Sequence, residues 1–323
     1  MSLLDPVNGQ IRTLTCNGFN RASEAFMEAG SFLMHAPHEN AELLALLTTE
    51  PGQDRPVNCY VFYQGSAVAG VAASPPQTDM MWLSSMKPAA LSEITEVIAS
   101  HLQSRNVPAA GLIEHGSGME QNIRQMWNFA NDREAQSNRT QTYHLYNGKD
   151  KLPPSRFSNA LRRAAQQDTG LMVGTLLGKE ILDRLSPAVR QRHGLQMIAN
   201  RTHIMQGTPD NVTDLALYTL RPIGDEGLLV RMAGMTAKPP RSEPHVPLEI
   251  LTQEITEQFA ALAQHAKAQG RWALFSMPTD HDLPTTEAAT RLGFSNAGGL
   301  SRTRLIVKQT PATSGAPANQ LVS

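Results

Sequence analysis

A chain of 323 residues with a formal net charge of -1 has room for two domains of ordinary size, and its charge balance gives no electrostatic reason to bind nucleic acid or an anionic membrane. Its two cysteines, Cys16 and Cys59, fit no metal or redox spacing and point to thiols in a reducing compartment. No apolar run is long enough to span a bilayer, and Asp5 and Pro6 stand where a secretory signal needs a basic start and an apolar stretch, so a soluble cytoplasmic protein is expected.

Residues 60–63 and 67–73, joined at Gln64 and Gly65, read as a hairpin, and 80–83 as a third strand. Leu91, Ile94, Ile98 and Leu102 recur at helical spacing; 107–113 reads as a strand, Met119, Ile123, Met126 and Trp127 mark a second helix, and 140–146 alternates like a closing strand. Residues 147–155 have no apolar period and contain Pro153 and Pro154, which is linker chemistry. Beyond them, 215–220 and 228–235 flank 224–227 as another hairpin, and Ile255, Phe259, Leu262 and Ala266 mark a helix ending at Gly270. A strand over 271–275 follows, then a short helix that begins near Pro284 and stops at Gly293. The β-branched run 301–307, bounded by Gly298 and Gly299, reads as a last strand. Residues 309–323 are small, polar and Pro-bearing, and read as a disordered tail. The same order of elements occurs twice, which predicts two domains of one fold, residues 1–148 and 149–308.

A helix-ending Leu292-Gly-Phe294 before a last strand resembles the closing segment of the GNAT N-acetyltransferase superfamily. Leu161 to Leu171, with Arg162, Ala164 and Asp168 at the family's offsets, is similar to its opening strand and first turn. The first hairpin, running into Ser74-Pro-Pro76 with a following Trp-Leu-Ser, is similar to the N-terminal domain of tandem members. The resemblance implies an α/β fold of two tandem GNAT-like domains, each a mostly antiparallel mixed sheet flanked by helices. It implies an acetyl-CoA-dependent N-acetyltransferase whose substrate is a small-molecule or peptide amine, attacking the thioester directly. A GNAT-derived binding or interaction module without acetyl transfer is the second reading.

In GNAT domains a glycine-rich loop at the start of a helix holds the cofactor's pyrophosphate on backbone N–H groups. The matching region here is 241–255, and no glycine occurs between Gly234 and Gly270. Either a short strand over Val246, Leu248 and Ile250 runs into a helix capped by Thr252, or the helix starts near Pro247. By resemblance the cofactor contacts are Leu251, Thr252 and Gln253, with Thr286 where the family has an asparagine. Glu249, Glu254 and Glu257 place carboxylates in the same region, ordinary capping chemistry that is repulsive to a pyrophosphate.

The tyrosine that protonates the leaving thiolate in many members falls at Ala289, and no catalytic residue is singled out. His203, Tyr218, Glu226, His245 and His281 are the polar groups available as a base. Ser117, in His115-Gly-Ser-Gly118, lacks the spacing of a nucleophile elbow and reads as part of a strand-to-helix turn. His35 and His38 are separated by Pro37 and have no further ligands nearby, so no metal site is expected. The basic pairs at 162–163 and 190–193 read as solvated helix faces.

Overall fold

The computed structural model describes residues 9–16, 24–48, 57–74, 80–84, 91, 110–116, 119–128, 133–207, 210, 212–238, 245–279 and 283–307. The first half of the chain contributes strands β1 (Gly9–Cys16), β2 (Val57–Gln64), β3 (Ala67–Ser74), β4 (Met80–Leu83), β5 (Ala110–Gly116) and β6 (Arg133–Tyr146). From the second half come β7 (Leu161–Arg163), β8 (Thr202–Gln206), β9 (Thr213–Ile223), β10 (Gly227–Ala237), β11 (Trp272–Pro278) and β12 (Ser295–Val307). All twelve lie in one sheet, in the order β1-β2-β3-β4-β5-β12-β6-β11-β10-β9-β8-β7.

The order carries an internal repeat. In each half four strands run as an antiparallel meander and the fourth pairs in parallel with the fifth, β4 with β5 and β10 with β11. The sixth strands are exchanged: β12 pairs with β5 of the first half, and β6 pairs with β11 of the second. They also pair with each other at the centre of the sheet.

Helices cover both faces. The first half supplies α1 (Glu24–Met34), α2 (Ala41–Leu47) and α3 (Glu120–Trp127); the second supplies α4 (Thr169–Leu177), α5 (Lys179–Arg184), α6 (Pro187–Ala199), α7 (Leu248–Ala268) and α8 (Leu283–Arg291). Strand alternation sends Leu229 and Leu274 into the core beneath α1 and α2, while Leu228, Val230 and Phe275 enter the core beneath α7 and α8. Each fully buried Phe or Leu of this kind contributes roughly 1.5–3 kcal/mol of transfer free energy.

Leu292-Gly-Phe294 has a packing role. Gly293 takes φ 72° to end α8, the Phe294 N–H donates to the Ala289 carbonyl at 3.0 Å, and the Phe294 ring stacks on Phe275 at 4.9 Å and Tyr146 at 5.6 Å between centroids.

Several expected boundaries move. β6 begins at Arg133, well before residue 140, because β12 supplies partners for a polar stretch that has no apolar signal of its own. β5 continues through Gly116, so His115 is a strand residue. β12 begins at Ser295, and the glycines expected to bound it form an irregularity within it, with Gly298 at φ 90°. Leu91 is helical and buried; Ile94, Ile98, Leu102 and the expected tail lie outside the described residues.

Candidate functional site

The parallel pair in the second half comes apart. β10 and β11 are in register from Gly227 opposite Trp272 to Arg231 opposite Ser276. Beyond that point β10 runs on to Ala237 beside β9, with an irregularity between Met232 and Gly234, while β11 follows β6 to Pro278. Among the described residues the edge of β10 from Met232 onward therefore has no strand partner on its β11 side, and its backbone amides face a wedge. This stretch is half-buried up to Thr236.

At the point of the wedge, Arg231, Ser276 and Tyr143 stand in register across β10, β11 and β6, under α2. Arg231 donates to the Glu42 carboxylate of α2, and the Ser276 hydroxyl donates to Gln141 at 3.0 Å. Tyr143 is 1% exposed, and its hydroxyl has no hydrogen-bond partner among the described residues. Burial raises its pKa well above the usual phenol range, the Glu42 charge adds to this, and Arg231 opposes it. The phenol thus stays protonated.

The helix after β10 starts at Leu248, with Pro247 at its N-cap. This corrects the Thr252-capped alternative: proline has a preset φ and no N–H to lose, and Leu251 already donates to the Pro247 carbonyl at 3.0 Å. The N–H groups without an acceptor inside the helix are those of Leu248, Glu249 and Ile250. Thr252 lies a turn further in, fully buried, and its hydroxyl has no hydrogen-bond partner among the described residues. Leu251 packs on the core, Gln253 is exposed, and Thr286 is half-buried on α8, its carbonyl accepting from the Thr290 hydroxyl at 2.9 Å.

The three acids are committed elsewhere. Glu254 accepts from the backbone N–H groups of Val212 and Thr213 at 2.7 and 2.6 Å. Glu257 binds the Arg156 guanidinium at 2.6 and 3.1 Å. Glu249 meets Arg291 at 3.0 Å, and Arg291 also holds Glu287 at 2.6 Å, tying α8 to α7.

Ala289 is fully buried between α8 and the sheet. Tyr218 is buried and donates to Gln258 at 2.6 Å, with its pKa pushed up by burial. Glu226 lies in the β9–β10 turn, where its carbonyl accepts from Trp272 at 3.0 Å. His245 is exposed before α7, and His203 lines a cleft at the other end of β10. His281 and Ser117 lie outside the described residues. His115 is buried between the Gly116 carbonyl at 2.9 Å and the Thr303 hydroxyl at 2.8 Å. Of the first-half pair, His35 meets the Ser31 carbonyl at 2.8 Å, and His38 packs edge-on against Trp272 at 4.7 Å. Among the described residues no group of three or more His, Cys, Asp or Glu is placed to hold a metal ion. Cys59 is buried and forms no disulfide. No described helix is long and apolar enough to cross a membrane.

Glu42, Tyr143 and Arg231 were not among the sequence candidates. The one legible sign is Arg231 itself, a charge inside the apolar run 228–235, which demands a buried partner.

No protein-family model matches the chain, and no curated protein is similar to it in sequence. Among solved structures, a GCN5-related N-acetyltransferase from Sphaerobacter thermophilus superposes with a TM-score of 0.50 at 10% identity, over 92% of this chain and 96% of that one. A tandem GNAT protein from the clavulanic acid biosynthesis pathway aligns at TM-score 0.47 and 11% identity, over 92% and 97% of the two chains. The N-myristoyltransferase of Saccharomyces cerevisiae, with bound myristoyl-CoA, aligns at 0.45 and 9%, over 96% and 81%. The shared property is the fold, a GNAT acyltransferase fold of mixed α/β type with a large, mostly antiparallel sheet between helices.

Proposed function

We propose that the chain is an acetyl-CoA-dependent N-acetyltransferase acting on an amine of a small molecule or peptide, in the cytoplasm. The observation that carries this reading is the wedge between β10 and β11, with a helix N-terminus following β10 and a buried, protonated phenol at its point.

The residues fit the cofactor's chemistry. The unpaired β10 edge offers backbone donors and acceptors to an amide-bearing chain such as pantetheine. The free N–H groups of Leu248, Glu249 and Ile250 offer a dipole-favoured contact for phosphate. They replace Leu251, Thr252 and Gln253 as the backbone contacts, and Thr286 stays as a neighbour on α8. When bound, acetyl-CoA supplies an acetyl group activated as a thioester. Tyr143 holds a proton at its hydroxyl for the departing sulfur, and Glu42 and Arg231 fix the polar environment of that hydroxyl through α2. Residues 1–148 and 149–308 act in this reading as two GNAT-like units, the second supplying the β10–β11 wedge and α7 and the first supplying Glu42 and Tyr143 to the same site.

Calorimetric titration with acetyl-CoA is expected to give saturable binding, and acetyl transfer to an amine panel is expected to fall at least about ten-fold in Tyr143→Phe with KM little changed. Absence of any heat at millimolar acetyl-CoA, with a folded apo protein, removes the proposal. Binding without turnover on any amine, unaltered by Tyr143→Phe, points to the second reading. That reading is favoured by the fully buried Ala289 in place of a catalytic tyrosine.

A further inference from the structure

The row of side chains at the point of the wedge continues one step outward. Gln141 lies two residues before Tyr143 on β6, on the same face, and opposite Pro278 of β11. Pro278 is past Ser276, the last β11 residue paired with β10, so Gln141 stands beside the open part of the wedge. Tyr143 and Ser276 are buried, whereas Gln141 is half-buried. Of this row it is the side chain that a ligand entering between the strands meets first.

A local irregularity puts it there. Ala135 packs with Ile123 and Trp127 of α3, while Tyr143 packs beneath α1 and α2. These cores lie on opposite faces of the sheet, since the neighbours Val61 and Phe62 of β2 enter one each. An even separation along a regular strand would have kept residues 135 and 143 on one face. The switch comes from an extra residue in β6, Thr140: Leu300 and Ser301 are adjacent on β12, yet they stand opposite Gln141 and Arg139. The close approach depends on Gly299, where a Cβ would lie 2.3 Å from the Gln141 carbonyl oxygen. The side-chain amide is then fixed by Ser276, whose hydroxyl donates to its oxygen at 3.0 Å. Its Nε2 keeps two N–H donors with no partner among the described residues.

We propose that Gln141 is a catalytic residue for acyl transfer, its Nε2 donating to the thioester carbonyl oxygen, and that Ser276 is its positioning residue. This rests on the acetyltransferase reading above. A glutamine held by its oxygen presents only donors, which is what an oxygen gaining negative charge requires. Gln141 donates to that oxygen while it holds the C=O electron pair, from the moment the amine nitrogen bonds to carbon until the C–S bond breaks. Tyr143 gives its proton to the departing sulfur and is reprotonated, by way of water, with the proton that the amine loses.

Calorimetric titration with acetyl-CoA and with its S-ethyl thioether analogue, which lacks the carbonyl, separates this role from a structural one. Relative to the parent, the ratio of the two affinities is expected to fall about five-fold against acetyl-CoA in Gln141→Leu, with thioether affinity unchanged. On the amine that turns over fastest, kcat is expected to fall about a hundred-fold with KM little altered. Ser276→Ala is expected to lower kcat about ten-fold alone and no further in the Gln141→Leu background. An unchanged affinity ratio, equal loss of both ligands, or losses from the two substitutions that add in full overturns the proposal. A parent that binds neither ligand or acetylates no amine removes the acetyltransferase reading and this inference with it; an active parent matched by Gln141→Leu removes this inference alone.

Discussion

An acid near a helix start repels a phosphate only if its charge points there, and Glu254 shows the difference. Its two oxygens take the backbone N–H groups of Val212 and Thr213, so it holds the entry to β9 in place. Glu254→Ala leaves the buried Thr213 donor and the half-buried Val212 donor without that acceptor and is expected to cost about 1–3 kcal/mol. Glu249→Ala, whose side chain is 77% exposed, is expected to stay within about 0.5 kcal/mol of the parent. Urea unfolding midpoints separate the two, and equal midpoints would remove the structural role given to Glu254. The sequence reading placed Glu254 near a helix start as ordinary capping chemistry, so its position on the helix was legible. Its partner was not, because the bond goes to backbone atoms some forty residues upstream.

Among elements, the short strand β7 is fixed by the turn that follows it. Arg162 and Asp168, whose offsets carry the family likeness, form a two-pronged ion pair at 2.7 and 2.8 Å, and Asp168 also accepts the Ala165 N–H at 2.8 Å. The Arg162 hydrogen bonds lower the Asp168 pKa from 3.8 to about 2, with the Ala165 N–H helping and burial opposing. Because the folded value is the lower one, this contribution is complete above the unfolded pKa near 3.8 and disappears as pH falls toward about 2. Thermal melts from pH 5 downward should therefore lose stability through this window, with a shallower loss in Asp168→Asn; parallel pH curves for the two proteins would refute the assignment. The pair was readable in the sequence as an offset, whereas the length of β6 was not. Residues 133–139 are almost all polar and become a strand only because β12 lies alongside.

For the whole molecule, the exchanged sixth strands decide what the unit of folding is. The repeat of elements was legible at the level of order, since hydrophobic period and turn residues are local signals. Which strand pairs with which depends on contacts across half the chain, and no local pattern encodes that. Fragments 1–148 and 149–323 made separately each lack the strand that should flank β5 or β11. Each is expected to aggregate or self-associate, while co-expression yields a one-to-one complex on gel filtration. Two monomeric fragments, each with its own cooperative melt, would contradict this. The exchange also imposes a timetable on synthesis. β6 ends at Tyr146 and β12 begins at Ser295, so on the ribosome β5 and β6 wait for about 150 more residues, on the order of ten seconds, before the strand that belongs between them is made. During that interval two sticky edges face each other across an empty slot. Successful expression thus depends on what shelters the nascent chain as well as on the stability of the finished sheet.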